Sequence, residues 1–289
     1  MNNKFKFLSK LAWGNWQVSE ELNNSKELSK IVETVFNNNI FVLDTADIYG
    51  GYKNEEVLGQ ALKEVQLDRS KYQLVTKANI FNNHPDYSEI KGHHYNSSYD
   101  YLRNAMERSL NKLQTPYIDV FLLHRLDYLM NPLEVAKILN EYHFKGLIKT
   151  VGVSNFPAST LRMLQKHLDM PIVTNQIEFS LKHLQPLDDG NLDLAIELGY
   201  NPMFWSPYAR GEIFKESQIM ETLTALANKY NVSTEAIATA WLLKHPSEGV
   251  VIMGSNSKER IASISKGLNV NLQIHEWYEI LKSSGKILP

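Results

Sequence analysis

No cysteine occurs among the 289 residues. Disulfides, thiolate nucleophiles and cysteine-ligated zinc are excluded at once. A cysteine-free chain fits a reducing compartment, and the cytoplasm is expected. No apolar stretch reaches the ~18 residues of a membrane-spanning helix. Lys4, Lys6 and Lys10 precede no apolar block of signal-peptide length. No five like charges run together and the formal net charge is only −2, so neither nucleic acid nor a membrane is an expected partner. G-x-G-x-x-G is also missing, and with it the phosphate-cradling turn of an open dinucleotide-binding sheet. What is present is ordinary for a globular protein: 43% hydrophobic and 21% charged residues, in a chain long enough to bury a sizeable core.

Short apolar runs punctuate the chain at regular intervals. They stand at 11–16, 41–43, 72–77, 117–123, 150–153, 171–176, 202–205 and 249–253. Between them lie segments of helical periodicity: 26–39, 55–64, 101–113, 132–144, 159–168, 192–198, 217–230, 233–244, 257–267 and 274–283. Ser233 reads as an N-cap and Pro132 as a helix start. Strands alternating with helices pair in parallel through right-handed crossovers. Eight such units in under 300 residues predict a (β/α)8 TIM barrel with its site at the C-terminal face. Residues 1–289 read as one domain. The polar segment 78–98, with Asn82-Asn83-His84-Pro85 and Gly92-His93-His94-Tyr95, reads as a long loop inserted over the barrel mouth.

In a barrel the carboxyl ends of all strands meet on one face. The polar residues there are Asp44 and Tyr49, Lys77, His124, Ser154 and Asn155, Asn175 and Gln176, Ser206, and Ser255. Taken alone, Asp44 reads equally as a cap and Tyr49 as a core ring. Together with Lys77 and His124 they form a proton-delivery group. A phenol is a poor acid at neutral pH, and a neighbouring ammonium favours its ionised form. A carboxylate holds that ammonium, and a histidine orients or relays. Carbonyl reduction fits, with Tyr49 protonating the oxygen. Asp47 reads as a loop residue outside this group. His93-His94 has no apparent third ligand, and no metal is expected.

The motifs Asp44-Thr45-Ala46-Asp47-Ile48-Tyr49-Gly50-Gly51-Tyr52, Thr76-Lys77, Leu122-Leu123-His124-Arg125, Gly152-Val153-Ser154-Asn155-Phe156, Asn175-Gln176, Trp205-Ser206-Pro207 and Gly254-Ser255 with Arg260 run in this order along the chain. The chain resembles the aldo-keto reductases over essentially its full length, within a bacterial oxidoreductase branch. The resemblance implies an NADP-dependent enzyme that reduces an aldehyde or ketone. Tyr49 would be the proton donor, Lys77 would lower its pKa, Asp44 would hold Lys77, and His124 would orient substrate. Ser154, Asn155 and Gln176 would hold the nicotinamide carboxamide and Trp205 would stack on its ring. Residues around Ser206, Gly254 and Ser255 would bind the phosphates. Arg260 would meet the 2′-phosphate, favouring NADP(H) as cofactor. The chain departs from many relatives at Met253-Gly254-Ser255 and at Ser263-Ile264, where they carry Pro-Lys-Ser and Glu-Asn.

Two other readings fit the same residues. One is a coenzyme-binding sensor barrel with little turnover. The other is a lyase using Lys77 as a Schiff-base nucleophile. The loops expected to set substrate choice are 78–98, 125–131 and 207–216, with Tyr52, Phe81, Tyr95 and Tyr128 as an aromatic lining of the mouth. The partner is a small-molecule carbonyl compound. The sequence assigns no oligomeric state.

Overall fold

A computed structural model describes residues 5–16, 18, 24–84, 86 and 89–288; Lys4 and Pro85, named above, lie outside the described residues. Eight parallel strands close into a barrel: β1 (Leu11–Gly14), β2 (Val42–Asp44), β3 (Gln73–Ala78), β6 (Ile118–Leu123), β7 (Ile148–Ser154), β8 (Ile172–Glu178), β9 (Met203–Trp205) and β10 (Val250–Met253). β1 pairs with both β2 and β10, so no edge remains open. The main helices are α1 (Ser25–Asn37), α3 (Asn54–Val65), α4 (Tyr99–Lys112), α5 (Pro132–Phe144), α6 (Ala158–Gln165), α7 (Asn191–Leu198), α8 (Ser217–Tyr230), α9 (Thr234–Leu243), α10 (Lys258–Ser265) and α11 (Ile274–Ser283). A single turn, α2 (Tyr49–Tyr52), follows β2. No helix among the described residues is long and apolar enough to cross a membrane.

The two-residue period of a strand explains what faces inward. Ala12, Val42, Val75, Val120, Leu122, Met203, Val250 and Ile252 fill the barrel. Two residues further along the same strands stand Gly14, Asp44, Lys77, His124 and Trp205. The inward register that packs the core thus also delivers the polar residues to the mouth. The alternate residues, such as Trp13, Leu43 and Leu74, pack outward on α1 and α3, and Phe121 and Leu123 pack on α4 and α5.

Helix starts follow their caps. Asn24, Ser98, Asn131 and Ser233 each accept a backbone N–H of the first turn. Across α9 and α11, Trp241 and Trp277 stack at 5.3 Å and each indole N–H donates to the other's carbonyl. The first strand ends two residues sooner than its apolar run, because Asn15 and Trp16 leave the sheet.

The segment 78–98 holds more than a loop. β4 (Ile80–Asn82) and β5 (His93–Tyr95) form an antiparallel hairpin, with Phe81 opposite His94. Those two rings stack at 4.4 Å, and Phe81 packs into the outer core beside Tyr101. The expected aromatic lining is therefore only partial. Phe81 and Tyr52 are core residues, Tyr95 is partly buried, and Tyr128 is exposed.

Candidate active site

Lys77 is completely buried, and its ammonium has three oxygen neighbours. Nζ donates to Asp44 Oδ2 at 2.8 Å, to the Thr45 carbonyl at 2.6 Å and to the Tyr49 hydroxyl at 3.3 Å. The chain between Asp44 and Tyr49 is pinned to the neighbouring strand: Thr45 N donates to Val75 O and Asp47 N to Lys77 O. Immediately after Tyr49, Gly50 and Gly51 both adopt positive φ, 59° and 62°, which suits glycine. A Cβ on Gly50 would fall 1.8 Å from Asn54 Oδ1. Asn54 Nδ2 in turn donates to Asn15 O at 2.7 Å, tying the Tyr49 turn to the exit of β1. The His124 ring meets the Tyr49 ring edge-on at 5.7 Å. The structure therefore brings all four residues together.

Burial dominates the electrostatics. It works against the Lys77 charge, but Asp44 and Tyr49 outweigh it and hold the lysine above its ordinary value. Burial also raises the Tyr49 phenol, against the pull of Lys77. The Lys77 charge pulls the phenol down, but desolvation is the larger effect and Tyr49 stays above its ordinary value. His124 is driven well below 6.5, first by burial and then by the charges of Lys77 and Arg125. Its imidazole is neutral at physiological pH. Nδ1 is sealed without a partner among the described residues, leaving Nε2 as the nitrogen open to a ligand.

A chain of hydrogen bonds runs from Asp44 across the mouth. Gln176 Nε2 donates to Asp44 Oδ1 at 2.8 Å, and Ser154 Oγ donates to Gln176 O at 3.0 Å. Asn155 Nδ2 donates to Ser154 Oγ at 2.8 Å, and Trp205 Nε1 donates to Asn155 Oδ1 at 3.1 Å. Asn155 sits at φ 56°, a backbone setting that asparagine tolerates. Ser206, at φ 53°, follows in a tight turn closed by Ala209 N on Ser206 O. Asn175 is not part of this chain; its amide donates to Phe156 O and Asn191 Oδ1. Gly254 lies beside Gly14, and Ser255 O accepts the Trp13 indole N–H at 3.0 Å. Arg260 stands apart on the first turn of α10, its side chain exposed and 3.8 Å from Glu235.

Asp47 lies in the loop between β2 and α2, as expected, but it is a buried loop residue. It is 3% exposed, and neither carboxylate oxygen has a hydrogen-bond partner among the described residues. Burial, then the nearby Glu55, holds its carboxyl well above 3.8. Glu55 is buried too, but accepts from Thr76 Oγ1 at 2.6 Å and Ser109 Oγ at 3.1 Å. Sequence reasoning also gave no role to Gly14, where a Cβ would fall 2.9 Å from the Ile252 side chain, or to the Thr45 carbonyl under Lys77.

A sequence model of the Aldo/keto reductase family matches residues 10–284. The chain belongs to that family. Among curated relatives, this aldo-keto reductase is 35% identical over 278 residues to the uncharacterized oxidoreductase YcsN of Bacillus subtilis (strain 168), covering 94% of this chain and 93% of that protein. It is 33% identical over 276 residues to the 6-dehydroglucose reductase of Agrobacterium fabrum (strain C58 / ATCC 33970), with coverage of 94% and 93%. Among solved structures, the thermostable aldo-keto reductase Tm1743 superposes with a TM-score of 0.83 at 24% identity over 95% of each chain. The barrel is thus the fold of the family, and the chain is an oxidoreductase of it.

Proposed function

We propose that this aldo-keto reductase reduces an aldehyde or ketone to an alcohol with NADPH, Tyr49 delivering the proton. The observation that carries the proposal is the Lys77 ammonium held between the Asp44 carboxylate and the Tyr49 hydroxyl at the open end of the barrel. The residues around it fit a nicotinamide coenzyme. Gly254 leaves open space where a side chain would stand, with only the Gly14 carbonyl oxygen 4.0 Å away. Gln176 commits its amide N–H to Asp44 and leaves Oε1 to accept from a carboxamide. The Trp205 indole is anchored edge-on by Asn155, which fixes its plane for stacking. When bound, the coenzyme would supply the hydride that adds to the carbonyl carbon.

The chain's own residues act on the carbonyl oxygen. Tyr49 is a neutral phenol, so it has a proton to give. As that proton leaves, the adjacent ammonium meets the developing phenolate, and Asp44 keeps Lys77 in place. Neutral His124 supplies a second polar contact without adding charge. The same Asp44 contact works against Lys77 as a Schiff-base nucleophile, because attack needs the neutral amine.

Ser154, Asn155, Gln176 and Trp205 are assigned to the nicotinamide end. Ser206, Gly254 and Ser255 are assigned to the phosphates, and Arg260 to the 2′-phosphate. Two relatives at 33% identity are named 6-dehydroglucose reductase, so a sugar-derived aldehyde is the first substrate to test. The deciding experiment follows NADPH oxidation across a panel of aldehydes and ketones. Turnover that survives Tyr49→Phe at the wild-type rate would overturn the proton assignment; absence of turnover with tight coenzyme binding would point to a sensor.

A further inference from the structure

Arg125 follows His124 directly and reaches the same mouth. Its guanidinium carbon lies 5.7 Å from the centre of the Trp205 ring, and its charge acts on both Tyr49 and His124. The residue is partly buried. Among the described residues, no carboxylate comes within ion-pair distance of it and no acceptor takes its N–H groups. Arg69, the arginine beside the start of β3, shows the contrast. Its guanidinium is spent on Asp119, Thr115 and the carbonyls of Tyr72 and Tyr117. Arg69 is a fastening; Arg125 has its donors free.

The position of Arg125 is nevertheless built. Its backbone N–H donates to Asn79 Oδ1 at 3.0 Å, and its carbonyl accepts from Asn79 Nδ2 at 2.7 Å. Asn79 is fully buried at φ 105°, a setting that only a surrounding network sustains in a non-glycine residue. That network includes Ser97, whose hydroxyl accepts from Asn79 Nδ2 at 3.0 Å. Asp127, the nearest acid along the chain, accepts from Ser97 N and Leu129 N instead. The elements that hold Arg125 are thus satisfied by one another and leave its side chain unclaimed.

The charge balance of the mouth points the same way. Asp44 offsets Lys77 at 2.8 Å, and His124 is neutral. Arg125 is a charge beside them with no acid within ion-pair distance among the described residues. A guanidinium presents a planar fork of donors that matches an anionic oxygen group in two-point contact. We infer that Arg125 is a specificity-determining residue that selects carbonyl substrates carrying an anionic group, a carboxylate or a phosphate, close to the reacting carbonyl. This rests on the reductase reading of the same site.

The test uses the protein with NADPH and pairs of aldehydes that differ in an anionic group: succinic semialdehyde against pentanal, and glyceraldehyde 3-phosphate against glyceraldehyde. The first pair reads carboxylate and the second phosphate. Wild type should favour the anionic member of at least one pair by tenfold or more in kcat/KM, mostly through KM. Arg125→Met should reduce that ratio at least tenfold, and Arg125→Lys should keep part of it. A ratio near one in wild type, or a loss shared equally by both members of the pair, overturns the inference. In parallel, succinate is titrated by calorimetry into the NADP+-loaded wild type and Arg125→Met proteins. Saturable binding that needs the arginine supports the inference even where no carbonyl is turned over, which would instead sink the reductase reading. Binding unchanged in the variant, or none in wild type, counts against Arg125.

Discussion

At the scale of single residues, Tyr49 is the sharpest test. A positioned general acid contributes about 10²–10⁴ in rate. Tyr49→Phe should lower kcat by that factor and leave the coenzyme dissociation constant within about threefold, measured by fluorescence titration. His124 gives a pH prediction. Because burial and two cations hold its pKa well below 6.5, the imidazole stays neutral as pH falls through that value. The kcat/KM profile for reduction should therefore show no break near pH 6.5, and a loss centred there would contradict a neutral His124. Asp47 gives another, with the opposite sign. Its carboxyl is raised by burial and by Glu55, so its contribution to stability is intact at low pH and is lost as pH rises through the folded-state pKa. Asp47→Asn cannot ionise. The difference in melting temperature, variant minus wild type, should grow from pH 4 to pH 8; a flat difference would show that Asp47 titrates normally. The cluster of Asp44, Tyr49, Lys77 and His124 was legible because chemistry-bearing types stood at or just after strand ends. Asp47 was not, because it follows the strand and a linear pattern shows no third dimension. Arg125 was visible only as a letter in a motif, since whether an arginine is fastened or free depends on what surrounds it.

Elements follow from the sequence wherever one periodicity governs them. All eight barrel strands were readable as buried apolar runs, and the helix starts as caps such as Ser233. The hairpin of β4 and β5 was not, because His93-His94-Tyr95 lacks the apolar alternation of a strand and its pairing rests on the Phe81–His94 stack. Helix packing was equally hidden. Gly59 lies mid-helix in α3, where alanine is intrinsically better by about 1 kcal/mol. A Cβ there would sit 2.3 Å from the Lys112 carbonyl oxygen and 2.7 Å from the Leu113 carbonyl carbon. Both are backbone atoms at the end of α4, which cannot swing aside as a side chain would. Overpacking of this kind costs roughly 1–3 kcal/mol, enough to reverse the propensity gain. Gly59→Ala should lower the urea midpoint without changing the m-value. A raised midpoint would mean that α3 and α4 separate more easily than their contact suggests.

The whole molecule is a closed ring whose first and last strands meet, and the proposed coenzyme site spans that seam. Gly14 comes from β1, Ser154 from β7, Gln176 from β8, Trp205 from β9, and Gly254 and Ser255 follow β10. No one unit of the barrel contains the site, so a ligand bound there stabilises the closed ring as a whole. At a hundredfold excess over its dissociation constant, a ligand of the native state adds about 2.7 kcal/mol. For a chain of this size that is a rise of roughly 4–5 °C in melting temperature. On the proposed assignment, the contribution of the 2′-phosphate rests on Arg260. Its present partner, Glu235, is 3.8 Å away and the arginine is largely exposed, a pairing worth little in water. The guanidinium is therefore available to a phosphate at small cost. NADPH should raise the melting temperature more than NADH at equal concentration, and Arg260→Ala should remove the difference while keeping the rise common to both. A gap that persists in the variant would move 2′-phosphate recognition to another cation, with Lys258, two residues before Arg260 on the same turn of α10, as the first to examine.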